Sequence, residues 1–294
     1  MPKAKVNDIE IEYDTFGDPA LKPLLLIMGL GAQMINWDEE FCKKLVERDF
    51  YVIRYDNRDV GLSTKFEGAG EPDLMKLYMQ VQKGERIESL YTLEDLADDA
   101  VGLLTAINID KAHICGASMG GMIAQVIAYR HPSRVLSLVS IMSSTGNPDL
   151  PRPKPEAMQV LIKPLPIGRE AIIEDGIHRM RIVHGTGIPF NEERARKLVT
   201  ASYDRSNYRP GFSRQLAAII ASGNRKEALK SIKVPTIIIH GDADPLVPFE
   251  GGKDTAEAIP GSELLIIEGM GHSLPPEVWA LVINAITKNA FKAY

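Results

Sequence analysis

The sequence predicts an α/β fold: a mostly parallel sheet flanked by helices, with a helical lid inserted after the sixth strand. Three observations carry this. Short apolar runs alternate with amphipathic helical patterns, first up to Met142 and again from Thr236 onwards. Between about Gly146 and Arg225 no strand-like run occurs, and prolines (148, 151, 153, 155, 164, 166) punctuate several helical patterns. Finally, the run Ala112-His113-Ile114-Cys115 enters Gly116-Ala117-Ser118-Met119-Gly120, and small and apolar residues at helical spacing follow. The domain pattern is therefore a core in two pieces, 1–145 and 229–294, with 146–228 as the lid.

Taken in order, Ile9-Glu10-Ile11-Glu12-Tyr13 alternates apolar and charged residues and runs to the turn Phe16-Gly17-Asp18-Pro19, which reads as an N-terminal β-hairpin at a sheet edge. Leu24-Leu25-Leu26-Ile27-Met28 is continuously apolar, as a strand covered on both faces requires. It ends in the flexible loop Gly29-Leu30-Gly31, ahead of a helical pattern from Trp37 to Arg48. Tyr51–Tyr55 is the next strand, followed by the loop Asp56–Ser63. Thr92 and Asp95 form a capping box that opens a helix with Leu96, Ala100, Leu103 and Leu104 on one face. The helix after Ser118 runs to His131-Pro132, and Leu136–Met142 is a strand. Within the lid, Asn191–Tyr203 is a helix. Then come the strand Thr236–His240, a helix around Gly252–Ala258, the strand Leu264–Ile267 and a last helix from Pro275 to Ala290.

Gly-x-Ser-x-Gly at a strand-to-helix junction is the pattern of a nucleophile elbow, whose strained serine needs small neighbours. Alone it also fits an ordinary turn, so its partners decide. Gly241-Asp242-Ala243-Asp244-Pro245 follows an apolar strand, and Gly269-Met270-Gly271-His272-Ser273 follows the next. The candidate triad is Ser118 as nucleophile, His272 as base and Asp244 as the acid that orients it. Asp242 is the local competitor, better suited to bracing its own turn. The candidate oxyanion donors are the backbone N–H groups of Met119, first in the elbow helix, and of Leu30. Asp56 and Arg58 read as a buried brace near the site. His113, His131 and His240 read as structural, while His178 and His184 are secondary candidates for touching substrate. Met158, Ile162, Leu165, Ile167, Met180, Ile182 and Val183 are candidates for an apolar pocket wall.

A net charge of −5 gives no footprint for nucleic acid or an anionic membrane. The first residues lack a signal-peptide pattern and no apolar run spans a bilayer, so a cytoplasmic protein is expected. The two cysteines, Cys42 and Cys115, read as buried free thiols. Histidine spacing matches no metal site, and no cofactor is expected.

With these residues assembled, the chain resembles the α/β-hydrolase superfamily along nearly its whole length, and within it the aclacinomycin methylesterase-like group, which includes serine-dependent macrolide esterases. The resemblance rests on Leu26-Ile27-Met28-Gly29, on Ile53-Arg54-Tyr55-Asp56-Asn57-Arg58-Asp59, on Gly185-Thr186-Gly187-Ile188-Pro189-Phe190 in the lid and on Gly269-Met270-Gly271-His272. It implies the α/β-hydrolase fold and a serine ester hydrolase, and does not fix the substrate; the apolar lid residues favour an apolar or bulky ester, of methyl ester or macrolactone type. It also implies Ser118, Asp244 and His272 as the triad, with Leu30 and Met119 as oxyanion donors. Met28 stands where many superfamily members carry histidine, which alters the pocket wall and leaves the donor N–H in place. Rival readings on the same triad are C–C bond hydrolysis, acyl transfer, amide hydrolysis and perhydrolysis. A small-molecule receptor with slow turnover is a rival of another class. The expected partner is a small-molecule ester, and a homodimer is left open.

Overall fold

The computed structural model describes residues 2–294, with Met1 outside the described residues. Its strands are β1 (Lys3–Val6), β2 (Ile9–Phe16), β3 (Lys22–Ile27), β4 (Phe50–Tyr55), β5 (Ala112–Ala117), β6 (Val135–Ile141), β7 (Thr236–Gly241) and β8 (Glu263–Ile267). They form one sheet in the order β1-β2-β4-β3-β5-β6-β7-β8. The pairings β1–β2 and β2–β4 are antiparallel, and every pairing from β4 to β8 is parallel.

The period-2 pleat distributes the core between two faces. Leu25 and Ile27 of β3 and Ile114 of β5 face α3 (Leu93–Ala106) and α4 (Met119–Arg130), packing on Leu96, Leu103, Ile123 and Ile127. Leu24 and Leu26 of β3 and Cys115 of β5 face α1 (Glu39–Val46) and α11 (Pro276–Phe291), where Phe41, Leu45, Trp279 and Val282 complete the second layer. Both sides of the central strands are thus sealed, which is why β3 reads as an unbroken apolar run. The loops at the strand C-termini collect on one edge.

Between β6 and β7 lie α5 (Pro155–Ile162), α6 (Arg169–Val183), α7 (Glu192–Arg205), α8 (Arg209–Ala221) and the short α9 (Lys226–Leu229). Helices α6 and α7 share a small core of Ile173, Ile177 and Ala195. Charge pins this segment to the sheet. Arg214 of α8 bonds Asp59 through Nε and Nη2 at 2.8 and 2.9 Å, with both side chains buried. Arg205 of α7 reaches Asp56 at 2.7 Å.

Several expectations are corrected. The hairpin lies one strand earlier: β1 and β2 turn at Asn7-Asp8, and β2 pairs next with β4, so Phe16–Pro19 is a connection to β3. Helix α1 begins at Glu39, because Asp38 accepts a hydrogen bond from Glu40 N–H as its N-cap and Met34–Asn36 forms a separate 3₁₀ turn. A further helix, α2 (Leu74–Lys83), was not anticipated; Asp73 caps it and Gly84 ends it. Asp56 is a buried brace and Arg58 a partly buried one, yet they do not pair with each other: Asp56 bonds Arg205 and Arg58 bonds Asp99. The Thr92–Asp95 capping box is present. Among the described residues no helix is long and apolar enough to cross a membrane.

Candidate active site

Ser118 sits between β5 and α4 with φ 57° and ψ −122°. Such a backbone costs about 1–3 kcal/mol and persists only where its surroundings enforce it. The packing here leaves no room for a relaxed turn. A Cβ at Gly116 would lie 1.9 Å from Gly120 O, and one at Gly120 would lie 2.1 Å from Ile27 O. The two glycines of the motif therefore allow strand, turn and helix to interlock.

Asp244 follows β7, His272 follows β8, and their loops meet over the serine. His272 Nε2 is 2.9 Å from Ser118 Oγ, and His272 Nδ1 is 2.7 Å from Asp244 Oδ2. The other carboxylate oxygen of Asp244 accepts from Leu246 N–H and Val247 N–H, each at 2.8 Å. Burial opposes charge on Asp244, but the neighbouring charge of His272, its hydrogen bond through Nδ1 and the nearby His240 ring outweigh it and hold the carboxyl well below the usual range. An ionised Asp244 accepts Nδ1–H and leaves the Nε2 lone pair facing Ser118 Oγ–H, the tautomer a general base needs.

Asp242 braces a turn, as expected of it, but the turn is the one that carries the histidine: Gly269 N–H donates to Asp242 Oδ1 at 2.7 Å. His184 is corrected from a substrate-contact candidate to a second brace. Its ring bonds Ser273 Oγ at 2.9 Å and Ile188 O at 3.1 Å. The end of α6 adds two main-chain bonds to the same loop, His272 N–H to Val183 O at 2.7 Å and Gly271 N–H to His184 O at 3.1 Å. Here Gly187 and Gly269 approach so closely that a Cβ on Gly187 would lie 2.2 Å from Gly269 Cα. His178 is exposed and is not among the residues lining the cavity at Leu30.

The turn after β3 passes over the serine, since a Cβ on Gly29 would lie 3.0 Å from Ser118 Cβ. Leu30 therefore lies next to the nucleophile, and Met119 is the first residue of α4. A cavity of about 400 Å³ opens from this turn between α2 and the helices α5 to α8. Leu30, Leu74, Leu165, Met180, Tyr203 and Phe212 are among its lining residues. Of the seven pocket-wall candidates, only Leu165 and Met180 line it, and Ile167 is 93% exposed to solvent. Both cysteines are buried and free, and burial pushes the Cys42 thiol up to about 12 and the Cys115 thiol higher still. Neither can compete with the serine as a nucleophile.

The sequence matches the α/β-hydrolase fold family over residues 22–277. The chain belongs to the α/β-hydrolase family. It is similar to rhodomycin D methylesterase DauP from Streptomyces sp. strain C5, at 29% identity with 97% of each chain covered. A second relative, rhodomycin D methylesterase DnrP from Streptomyces peucetius, matches with the same identity and coverage. Among solved structures, a meta-cleavage product hydrolase (CumD) from Pseudomonas fluorescens IP01 superposes with a TM-score of 0.78 at 22% identity, over 100% of this chain and 98% of that one. That likeness concerns the fold of this hydrolase, and the site must be argued from its own residues.

Proposed function

We propose that this α/β hydrolase is a serine esterase that cleaves carboxylic esters through an acyl-enzyme on Ser118. His272 Nε2 removes the Oγ proton as Oγ attacks the ester carbonyl, and the same proton passes to the departing alcohol as the C–O bond breaks. Water then enters, loses a proton to His272 and releases the acid, returning the proton to Ser118. Asp244 stays ionised throughout, holding the Nδ1–H tautomer and stabilising the imidazolium. Leu30 N–H and Met119 N–H donate to the tetrahedral oxyanion, an arrangement in which each donor contributes roughly 3–4 kcal/mol to the transition state.

The observation that carries the reading is the unbroken chain Ser118 Oγ–His272–Asp244 at 2.9 and 2.7 Å. The rhodomycin D methylesterase relatives and the largely apolar cavity at Leu30 support a bulky apolar ester of methyl ester or macrolactone type as the substrate. Residues 146–228 act as the lid that shapes that cavity. The test is steady-state hydrolysis of p-nitrophenyl butyrate and a panel of methyl esters and macrolactones by wild type and Ser118→Ala. Sustained turnover that falls by at least roughly 10⁴-fold in the variant is expected. Equal turnover by both proteins would overturn the mechanism.

A further inference from the structure

The turn that carries Leu30 is not self-supporting. Ala32 N–H donates to Gly29 O at 3.2 Å, which closes a β-turn with Leu30 second and Gly31 third. Gly31 has φ +67°. A glycine in that place accepts either orientation of the preceding peptide, so the local sequence does not decide which way the Leu30–Gly31 peptide faces.

Two side chains decide it. Asn57 Nδ2 donates to Met28 O at 3.1 Å and fixes the peptide before Gly29. Gln215 Oε1 accepts Gly31 N–H at 2.8 Å and fixes the peptide after Leu30. Leu30 N–H lies between these anchors and, among the described residues, donates to no protein acceptor. Asn57 belongs to the loop after β4, whereas Gln215 belongs to α8, 184 residues away from Gly31. Gln215 is completely buried and its amide is also used at the other end, where Nε2 donates to Arg58 O at 2.8 Å. One turn earlier on α8, the Phe212 ring lies against one side of Gly31, so closely that a Cβ there would lie 2.7 Å from Cδ2.

We propose that Gln215 is a positioning residue for catalysis: it clasps Gly31 N–H so that Leu30 N–H points at the developing oxyanion, and the oxyanion site is complete only while α8 is seated. The amide touches no reacting atom and acts through the turn. Because an oxyanion donor acts on the transition state far more than on the bound ester, loosening it lowers kcat and leaves KM largely unchanged. The histidine–aspartate pair is untouched, so the pH profile of kcat keeps its shape. This inference rests on the esterase reading above.

The test compares Gln215→Met, which keeps the side-chain length without an amide, with Gln215→Glu, which keeps an acceptor oxygen. For p-nitrophenyl butyrate, Gln215→Met is expected to lower kcat by roughly 10- to 100-fold, with KM within about threefold and an unshifted pH profile. Affinity for phenylboronic acid, which forms a tetrahedral adduct on a serine, should weaken by a similar factor. Gln215→Glu, kept protonated by burial, should recover kcat to within roughly threefold of wild type, since its C=O still accepts Gly31 N–H and its O–H can donate to Arg58 O. In the wild-type protein, amide exchange at Gly31 should be strongly protected, a readout that stands even where Gln215→Met does not fold. Unchanged kcat in Gln215→Met, equal losses in both variants, or rapid exchange at Gly31 would each overturn the clasp. Turnover that does not depend on Ser118 would instead overturn the esterase reading, and the proposal with it.

Discussion

Replacing Asp244 by asparagine tests the proton route one atom at a time. Oδ1 accepts two main-chain N–H groups, from Leu246 and Val247, at 2.8 Å each. An asparagine must therefore place its carbonyl oxygen there, because an NH₂ group would face two donors. The NH₂ then points at His272 Nδ1, where Oδ2 now sits at 2.7 Å. It can only donate, so Nδ1 becomes the acceptor and the ring proton moves to Nε2. That proton faces Ser118 Oγ at 2.9 Å, and the ring can no longer take the serine's proton. The fold is retained, and kcat for p-nitrophenyl butyrate near neutral pH should fall by about 10⁴-fold, equivalent to about 5.5 kcal/mol of activation free energy. Thermal melting run alongside should show little change. A variant that folds normally and keeps kcat within roughly tenfold of wild type would refute the tautomer argument.

Gly120→Ala drives a Cβ to 2.1 Å from Ile27 O, a backbone atom that cannot swing aside, so urea denaturation should show a loss of about 3 kcal/mol or more together with lost activity. Arg214→Ala leaves the buried Asp59 with only Tyr91 O–H and Phe66 N–H as partners and should cost about 3–5 kcal/mol in the same assay. His113 supplies a pH test. Burial, followed by the nearby Lys22 charge, lowers its pKa from 6.5 to about 4, so the unfolded chain takes up the proton first and stability is lost as pH falls from about 6.5 towards 4. Between pH 7.5 and 4.5, wild type should lose about 2.5 kcal/mol more than His113→Gln, measured by chemical denaturation at both pH values. Parallel losses in the two proteins would contradict that assignment.

What could be read from the sequence was what local pattern encodes. Strand β3 announces itself because both its faces are buried, and the elbow because the Gly-x-Ser-x-Gly pattern is local, although only Gly116 is required by a contact within it and Gly120 is required by the distant Ile27 O. The candidate triad followed from chain order: the elbow held Ser118 and the loop after the last strand held His272, while the loop after β7 offered two aspartates, of which Asp244 rather than Asp242 lies on His272. Strand β1 was missed because four residues, Lys3–Val6, give only two buried apolar positions, Ala4 and Val6. Helix α2 was missed although Asp73 caps it, because just one of its residues, Leu77, is buried and its apolar signal is diluted by exposed Met75 and Met79. The supports of the site were invisible for a different reason. Gln215 on Gly31, Arg214 on Asp59 and His184 on Ser273 join residues 184, 155 and 89 positions apart, and nothing in the local sequence of one names the other.

The most direct measurement is to mix the protein with p-nitrophenyl butyrate, quench within the first turnovers and map the acylated peptide by mass spectrometry. A butyryl group on Ser118, formed in a burst with p-nitrophenol and absent from Ser118→Ala, is the predicted result. Sustained hydrolysis by the wild-type protein with no adduct on Ser118 at any quench time would contradict the covalent mechanism at its first step.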